Sequence, residues 1–144
     1  MTGTVLAAID LAHPENHHKI LQEAQTMAAQ RDASLSVVTV IPDFGMSIVG
    51  TYFEEGAEQR ALKDAAKTLH EAVTNVLGAD ADKLIKHVVC HGVAYEQILA
   101  TADKFDAVLI VMAAHRPEFR DYLLGPNAAR VVRHSTCSVL VLRD

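Results

Sequence analysis

The chain contains few of the residues that mark several large protein classes. It has two cysteines, four prolines, no tryptophan and only 5% aromatic residues. Two cysteines are too few for the disulfide framework of a small secreted domain, so we expect Cys90 and Cys137 to be reduced, buried thiols. No apolar run approaches the roughly 18 residues of a membrane span, and the first residues lack the features of a signal peptide. We therefore expect a cytoplasmic protein that does not insert into membranes.

Positive charge is also scarce. The formal net charge is −5 at pH 7, which argues against broad affinity for nucleic acid or for acidic membrane surfaces. A local basic patch is still compatible with this net charge. Several arginines lie late in the chain: Arg116, Arg120, Arg130 and Arg133.

What the chain does contain is aliphatic. Half of its 144 residues are hydrophobic, and five short runs rich in Val, Ile and Leu stand out. Continuous apolar runs of this kind are typical of strands buried on both faces. The five predicted strands are Thr4–Ile9, Ser34–Ile41, Leu84–Cys90, Ala107–Ala113 and Cys137–Leu142.

Segments with helical periodicity separate these strands. One begins near Pro14, a long one ends near Gly78, a third contains Tyr95 and Ala102, and a fourth begins at Pro126. The alternation of strands and helices, with no break in composition, predicts a single α/β domain over residues 1–144. Its sheet would be parallel and doubly wound, with helices on both faces.

In such a sheet, ligands bind beyond the carboxyl ends of the strands. The segments to search are Asp10–Glu15, Pro42–Gly56, His91–Ala94 and Ala114–Gly125. Pro42–Gly56 is long for such a connection and carries apolar residues. It is interpreted either as a lid or oligomer contact, or as a loop that folds back on the domain.

The start of the last helix is a candidate anion site. Gly125 precedes Pro126, Asn127 and Ala128 at this position. First-turn N–H groups have no partner within a helix, and the helix dipole favours negative charge there. A plain turn into a helix is the alternative interpretation, because every helix has such an end.

The sequence gives little support for other nucleotide-binding motifs, a metal site or a catalytic site. The sequence has no GxGxxG turn and no phosphate loop ending in Gly-Lys-Ser/Thr. A metal site at His87, Cys90 and His91 is disfavoured, since Cys90 would point away from the two histidines on a strand, and surface histidines are expected instead. His115 leaves a strand end toward the crevice, but nothing in the sequence pairs it with a nucleophile. We therefore expect no metal site and no catalytic set.

Two segments resemble the universal stress protein family. Val5-Leu6-Ala7-Ala8-Ile9-Asp10 is similar to its first strand, although the family usually has proline at the position of Ala8. The segment from Leu123 to His134, followed by Cys137–Leu142, is similar to its carboxyl-terminal signature. The resemblance spans the whole chain. It implies a five-stranded parallel sheet in the order 3-2-1-4-5, of the adenine nucleotide alpha hydrolase-like type.

The family's nucleotide motif is present only in part. Nucleotide-binding members have a glycine, two residues, a second glycine, nine residues and then Gly-Ser or Gly-Thr. Ala113 and Arg116 stand at the first two glycine positions. Eight residues and not nine lie between Arg116 and Gly125, which is the only one of the three glycines that is kept. Pro126 replaces the hydroxyl residue and so removes a side-chain donor and a backbone N–H. Each lost hydrogen bond weakens binding by about 1–3 kcal/mol.

If a nucleotide binds, the resemblance implies further contacts. Asp10 would lie near the ribose and any Mg²⁺, and Val40 would offer backbone groups to the adenine. Gly92 would let the ribose side of the nucleotide approach the protein backbone. His115 becomes a loop or ligand-contact residue. Each position also has an interpretation that involves no ligand. Asp10 is then a turn residue, Val40 a core residue and Gly92 a residue that allows a strained turn.

These features together lead to a functional expectation. The resemblance implies a stress-response protein that binds ATP, acts as a homodimer and has little or no catalysis, at most a weak ATPase activity. The edge strand Cys137–Leu142 would pair with its copy across a two-fold axis. The alternative is a nucleotide-free dimeric adaptor of the same fold, which acts through protein contacts.

Overall fold

A five-stranded parallel sheet lies at the centre of the protein. A computed structural model describes residues 3–41, 56–114 and 126–143. The strands pair in parallel in the order β3-β2-β1-β4-β5, which confirms the expected doubly wound fold and its order 3-2-1-4-5. The strands are β1 (Thr4–Ala8), β2 (Ser34–Ile41), β3 (Lys86–His91), β4 (Ala107–Ala113) and β5 (Ser138–Leu142).

Helices cover both faces of the sheet. A 3₁₀ turn over Pro14–Asn16 leads into the first of them, with Pro14 at its first position as expected. The helices of the described residues are α1 (His17–Arg31), α2 (Ala57–Leu77), α3 (Ala79–Asp82), α4 (Ala94–Lys104) and α5 (Pro126–His134).

The sheet separates two apolar cores. Val5 and Ala7 of β1 point into the core covered by α1 and α2, and Leu6 and Ala8 point into the core covered by α4 and α5. Val5, Leu6 and Ala7 are fully buried. Burial on both faces explains why β1 is apolar at every position rather than at alternate ones.

The region before β3 differs from the prediction. Leu84 was expected to begin this strand, but the strand begins at Lys86 and Leu84 is 84% exposed. Gly78, at φ +95°, ends α2, and α3 follows at once over Ala79–Asp82. The predicted start is therefore wrong, because Leu84 lies in the turn that follows this unpredicted helix.

The two cysteines are less buried than expected. Both thiols are free and only partly buried, so the prediction of buried thiols is wrong. Each has a hydroxyl neighbour: Cys90 Sγ lies 3.6 Å from Thr101 Oγ1, and Cys137 Sγ lies 3.4 Å from Ser135 Oγ.

Candidate functional site

A cavity of about 330 Å³ opens at the carboxyl ends of the central strands. It lies where the strand order reverses, between β1 and β4, which is where ligands bind in open parallel sheets. Its volume is at the lower end of the range for small-molecule sites. We call it the strand-end cavity, and it is lined by Ala8, Ile9, Asp10, His13, Asn16, Ile20, Val38, Val40, Ala94, Ile98, Met112, Ala113, Pro126 and Asn127.

Small and apolar side chains account for the shape of the strand-end cavity. Ala8 ends β1 and Ala113 ends β4, and both carry only a methyl group at the cavity wall. Val38, Ile98 and Met112 belong to the core under α4 and α5, and each also lines the cavity. The wall therefore suits a flat apolar group such as a nucleobase.

The first turn of α5 supplies the polar end of the cavity. Pro126 begins the helix and, with Asn127, lines the cavity. Pro126 has no N–H, so the first N–H groups of α5 are those of Asn127 and Ala128. The side chain of Ala128 is buried in the core beside α4, which fixes the helix against the sheet. This helix end can receive an anionic group.

Asp10 has both a structural and a candidate binding role. Its Oδ1 accepts a hydrogen bond from the Ala12 N–H at 2.9 Å, and its backbone carbonyl accepts one from His17 Nε2 at 2.8 Å. Its Oδ2 lies 3.9 Å from His13 Nε2, and the Asp10 side chain is 62% exposed. The turn interpretation is therefore correct, and Asp10 is also one of the residues that line the cavity.

Next to it, His13 lies between two carboxylates. Its Nδ1 is 3.1 Å from Glu15 Oε1. A backbone hydrogen bond at Glu15 itself, and then the hydrogen bond from His13, lower the pKa of Glu15 below its ordinary value. Glu15 consequently stays ionised at neutral pH, which places a negative charge beside His13, one of the lining residues of the cavity.

The structure brings many of the predicted site residues together. Ala8, Asp10, Val40, Ala113, Pro126 and Asn127 all line the strand-end cavity. Gly92 and Ala128 are not among its lining residues. His115, Arg116 and Gly125 lie outside the described residues, as do the predicted lid segment at 42–55 and most of the connection after Ala114.

Sequence reasoning missed several lining residues. His13 and Asn16 come from the turn before α1, and Ala94 and Ile98 come from the start of α4. His13 and Ala94 lie within two of the segments expected to border the crevice, Asp10–Glu15 and His91–Ala94, but neither was singled out as a site residue. Nothing in the local sequence distinguishes Ile98 from an ordinary core residue.

Gly92 has a backbone conformation that other residues avoid. Its φ is +126°, and its N–H donates to the Ile41 carbonyl at 3.0 Å. An added Cβ would lie 3.5 Å from Gln97 Nε2, an ordinary contact. We expect Gly92→Ala to lower the free energy of unfolding by about 1–3 kcal/mol in urea, through backbone strain. Unchanged stability together with weaker ATP binding would instead assign Gly92 to the ligand.

Family comparison agrees with this architecture. A family model described as the universal stress protein family matches residues 1–143. The chain belongs to the universal stress protein family. None of the helices that the structure describes has both the length and the apolar character that a membrane crossing requires.

Relatives cover nearly the whole of this universal stress protein. Universal stress protein A homolog 1 of Coxiella burnetii is 29% identical, over 96% of this chain and 94% of the relative. Universal stress protein G of Salmonella typhimurium is 26% identical, over 99% of this chain and 100% of the relative. The crystal structure of a universal stress protein in complex with cAMP matches with a TM-score of 0.65 and 21% identity. It covers 99% of this chain and 97% of that one, and this likeness shows the shared fold.

Proposed function

We propose that this universal stress protein binds an adenine nucleotide, with ATP as the expected ligand, in the strand-end cavity. It acts as a homodimeric regulator of the stress response in the cytoplasm, with little or no catalysis. The observation that carries the proposal is the pairing of an apolar wall with the first turn of α5 in one cavity. The cAMP complex of a protein with the same fold supports a nucleotide as the class of ligand.

Each part of the cavity suits one part of a nucleotide. The apolar wall of Val38, Val40 and Ile98 suits the adenine ring. The Asp10 carboxylate suits a ribose hydroxyl, which is a hydrogen-bond donor. The N–H groups of Asn127 and Ala128 suit a phosphate, because α5 directs its positive end there.

A divalent ion would enter with the nucleotide. Mg²⁺ is usually held by phosphate oxygens, waters and one or two carboxylates. Asp10 is the lining residue that carries a carboxylate, and its Oδ1 already accepts the Ala12 N–H. Asp10 alone is a weak metal site, so we expect Mg²⁺ to bind only as the nucleotide complex.

Hydrolysis needs a base that activates water and groups that stabilise the transferred phosphoryl. Among the described lining residues, the side chains that carry an ionisable group are those of Asp10 and His13. Both already hold turn or ion-pair contacts. This supports a binding role rather than an enzymatic one. An ATP turnover that Asp10→Ala abolishes would contradict this part of the proposal.

The proposal is tested by looking for the ligand directly. We expect mass spectrometry of gently purified protein to detect a co-purified adenine nucleotide. We expect calorimetric titration of the stripped protein to give one ATP site per chain. Because Pro126 removes one N–H donor, affinity should be weaker than in members with a hydroxyl residue there, by about tenfold or more. Absence of both signals at millimolar ATP would favour the nucleotide-free adaptor.

The homodimer is proposed on the basis of β5, which is an edge strand of the sheet in the part of the chain that the structure describes. β5 lies at the end of the sheet, next to β4. The Leu142 carbonyl accepts the Ala114 N–H at 3.0 Å, so Leu142 directs its backbone groups toward β4. Because backbone groups alternate sides along a strand, Val139 and Val141 direct theirs outward. An apolar edge with open N–H and C=O groups pairs readily with another strand.

We expect Val141→Pro to convert the dimer to a monomer, because proline removes an outward N–H without removing one that pairs with β4. Light scattering coupled to size exclusion measures this change in mass. The matched control is Val89→Pro on β3, the opposite edge. There the Gly92 N–H donates to Ile41 of β2, so Val89 directs its N–H outward. A dimer that survives Val141→Pro, or that dissociates equally in both variants, contradicts pairing through β5.

A further inference from the structure

A second site lies at the other end of the sheet from the strand-end cavity. His70 of α2, Asp82 of α3 and His87 of β3 come together beside the amino end of β3. Their candidate ligand atoms all lie within 4.8 Å of one another. We call these three residues the His70 cluster, and none of them lines the cavity.

The turn between α2 and β3 builds this cluster. Gly78, with φ at +95°, ends α2 and redirects the chain. The Asp82 N–H donates to the Gly78 carbonyl at 3.0 Å, and the Ile85 N–H donates to the Asp82 carbonyl at 3.1 Å. These bonds hold Asp82 between α2 and the edge strand. His87 shares a strand face with Val89, which packs under α1 and α2, so its side chain points toward α2.

The distances in the cluster are short. Asp82 Oδ1 lies 2.7 Å from His87 Nε2, and Asp82 Oδ2 lies 3.0 Å from His70 Nδ1. The two imidazole rings have centroids 5.1 Å apart and are inclined at 61°. One nitrogen from each ring thus contacts a different oxygen of the same carboxylate.

Asp82 is buried, and its carboxylate is paired with both histidines. The Asp82 side chain is only 5% exposed and that of His87 19%. A carboxylate withdrawn from water is destabilising unless it is paired or coordinates a metal. The side chain of His70 is 60% exposed, so the cluster opens to solvent on one side. An ion can therefore enter, and water can complete its coordination.

We propose that His70, Asp82 and His87 bind a divalent transition-metal ion of the Zn²⁺ class. Imidazole nitrogen and carboxylate oxygen are both usual ligands of Zn²⁺, with bonds near 2.0–2.2 Å. Such bonds place neighbouring ligand atoms about 3.4 Å apart in a tetrahedral site. The two short contacts of the cluster need to open by less than about 1 Å to reach that spacing. Mg²⁺ and Ca²⁺ are disfavoured, because they prefer oxygen ligands.

Three protein ligands leave one position for water or an external group. The ion would join α2, α3 and the edge strand β3, which are otherwise held by packing and hydrogen bonds. Bound Zn²⁺ should therefore stabilise the folded chain, since a ligand of the native state alone shifts unfolding by mass action. This inference does not depend on the proposed nucleotide site.

The test is titration of the metal-free full-length protein with ZnCl₂ by calorimetry, with Co²⁺ as a spectroscopic substitute. We expect one equivalent of Zn²⁺ at micromolar concentration, a rise in the melting temperature and a Co²⁺ spectrum of low coordination number. His70→Gln and His87→Gln should each weaken binding by at least about tenfold. The matched control, His18→Gln, changes an exposed histidine outside the cluster and should leave binding unchanged.

Asp82→Asn removes a buried carboxylate and can unfold the chain. His70→Gln changes a largely exposed side chain, so a loss of Zn²⁺ binding in that variant is not explained by unfolding. No binding at millimolar Zn²⁺ overturns the proposal. Equal weakening by His18→Gln and His70→Gln also overturns it, because that result marks adventitious binding at surface histidines.

Discussion

We expect Ala94→Trp to weaken ATP binding by at least about a hundredfold, which is about 2.7 kcal/mol or more. Ala94 is the first residue of α4, it is half-buried, and it lines the strand-end cavity. It belongs to neither of the two apolar cores, so the fold should tolerate the change. An indole ring there would occupy volume that the nucleotide needs, because the cavity holds only about 330 Å³. Calorimetric titration with ATP measures the effect.

The matched control places the same side chain at the start of another helix. Ala57 is the first residue of α2, it is also half-buried, and it does not line the cavity. Ala57→Trp should leave ATP affinity within about twofold of the unmodified protein. Equal affinities for the two tryptophan variants would place the nucleotide elsewhere on the molecule.

A second large effect is expected from charge at the start of α5. Asn127→Glu places a carboxylate where the proposal puts the phosphates, and it should weaken ATP binding by about ten- to a hundredfold. Asn127 is exposed, and an acidic residue in the first turn of a helix does not destabilise it. Loss of binding therefore cannot be attributed to unfolding, which circular dichroism would verify.

Two comparisons test whether the effect of Asn127→Glu is specific to the phosphates. Asn127→Gln keeps the side chain neutral and should bind ATP almost normally. Adenosine has no phosphate, so its affinity for Asn127→Glu should match that for the unmodified protein. If adenosine and ATP lose affinity equally, the carboxylate acts on the base or the ribose, and the assignment of the phosphates to α5 is wrong.

Sequence alone predicted the fold well, because parallel strands buried on both faces are apolar at every position. β1 illustrates this, with three consecutive residues that are fully buried. The approach to β3 was mispredicted, because Leu84 continues the apolar pattern while lying in an exposed turn. Hydrophobicity identifies a buried strand, but it does not distinguish the first strand residue from an apolar turn residue just before it.

The candidate site was predictable where one geometric rule applies. Residues at the carboxyl ends of parallel strands meet at one edge, and this rule selected the segment that begins at Asp10. Val40 and Ala113 were expected from the family resemblance instead. Ile98 escaped prediction, since its contribution depends on how α4 packs across the sheet. The His70 cluster escaped for a similar reason: its three residues come from separate elements, and only the unpredicted turn at α3 brings Asp82 between the two histidines.

Backbone amide chemical shifts during an ATP titration test the central claim most directly. Nuclear magnetic resonance spectra of the isotope-labelled protein should show the largest shifts at Asn127 and Ala128, with smaller ones at Val40 and Ala113. Amides at the opposite end of the sheet, such as that of His87, should stay in place. Shifts confined to that opposite end, or none at millimolar ATP, would contradict a nucleotide bound where the strand order reverses.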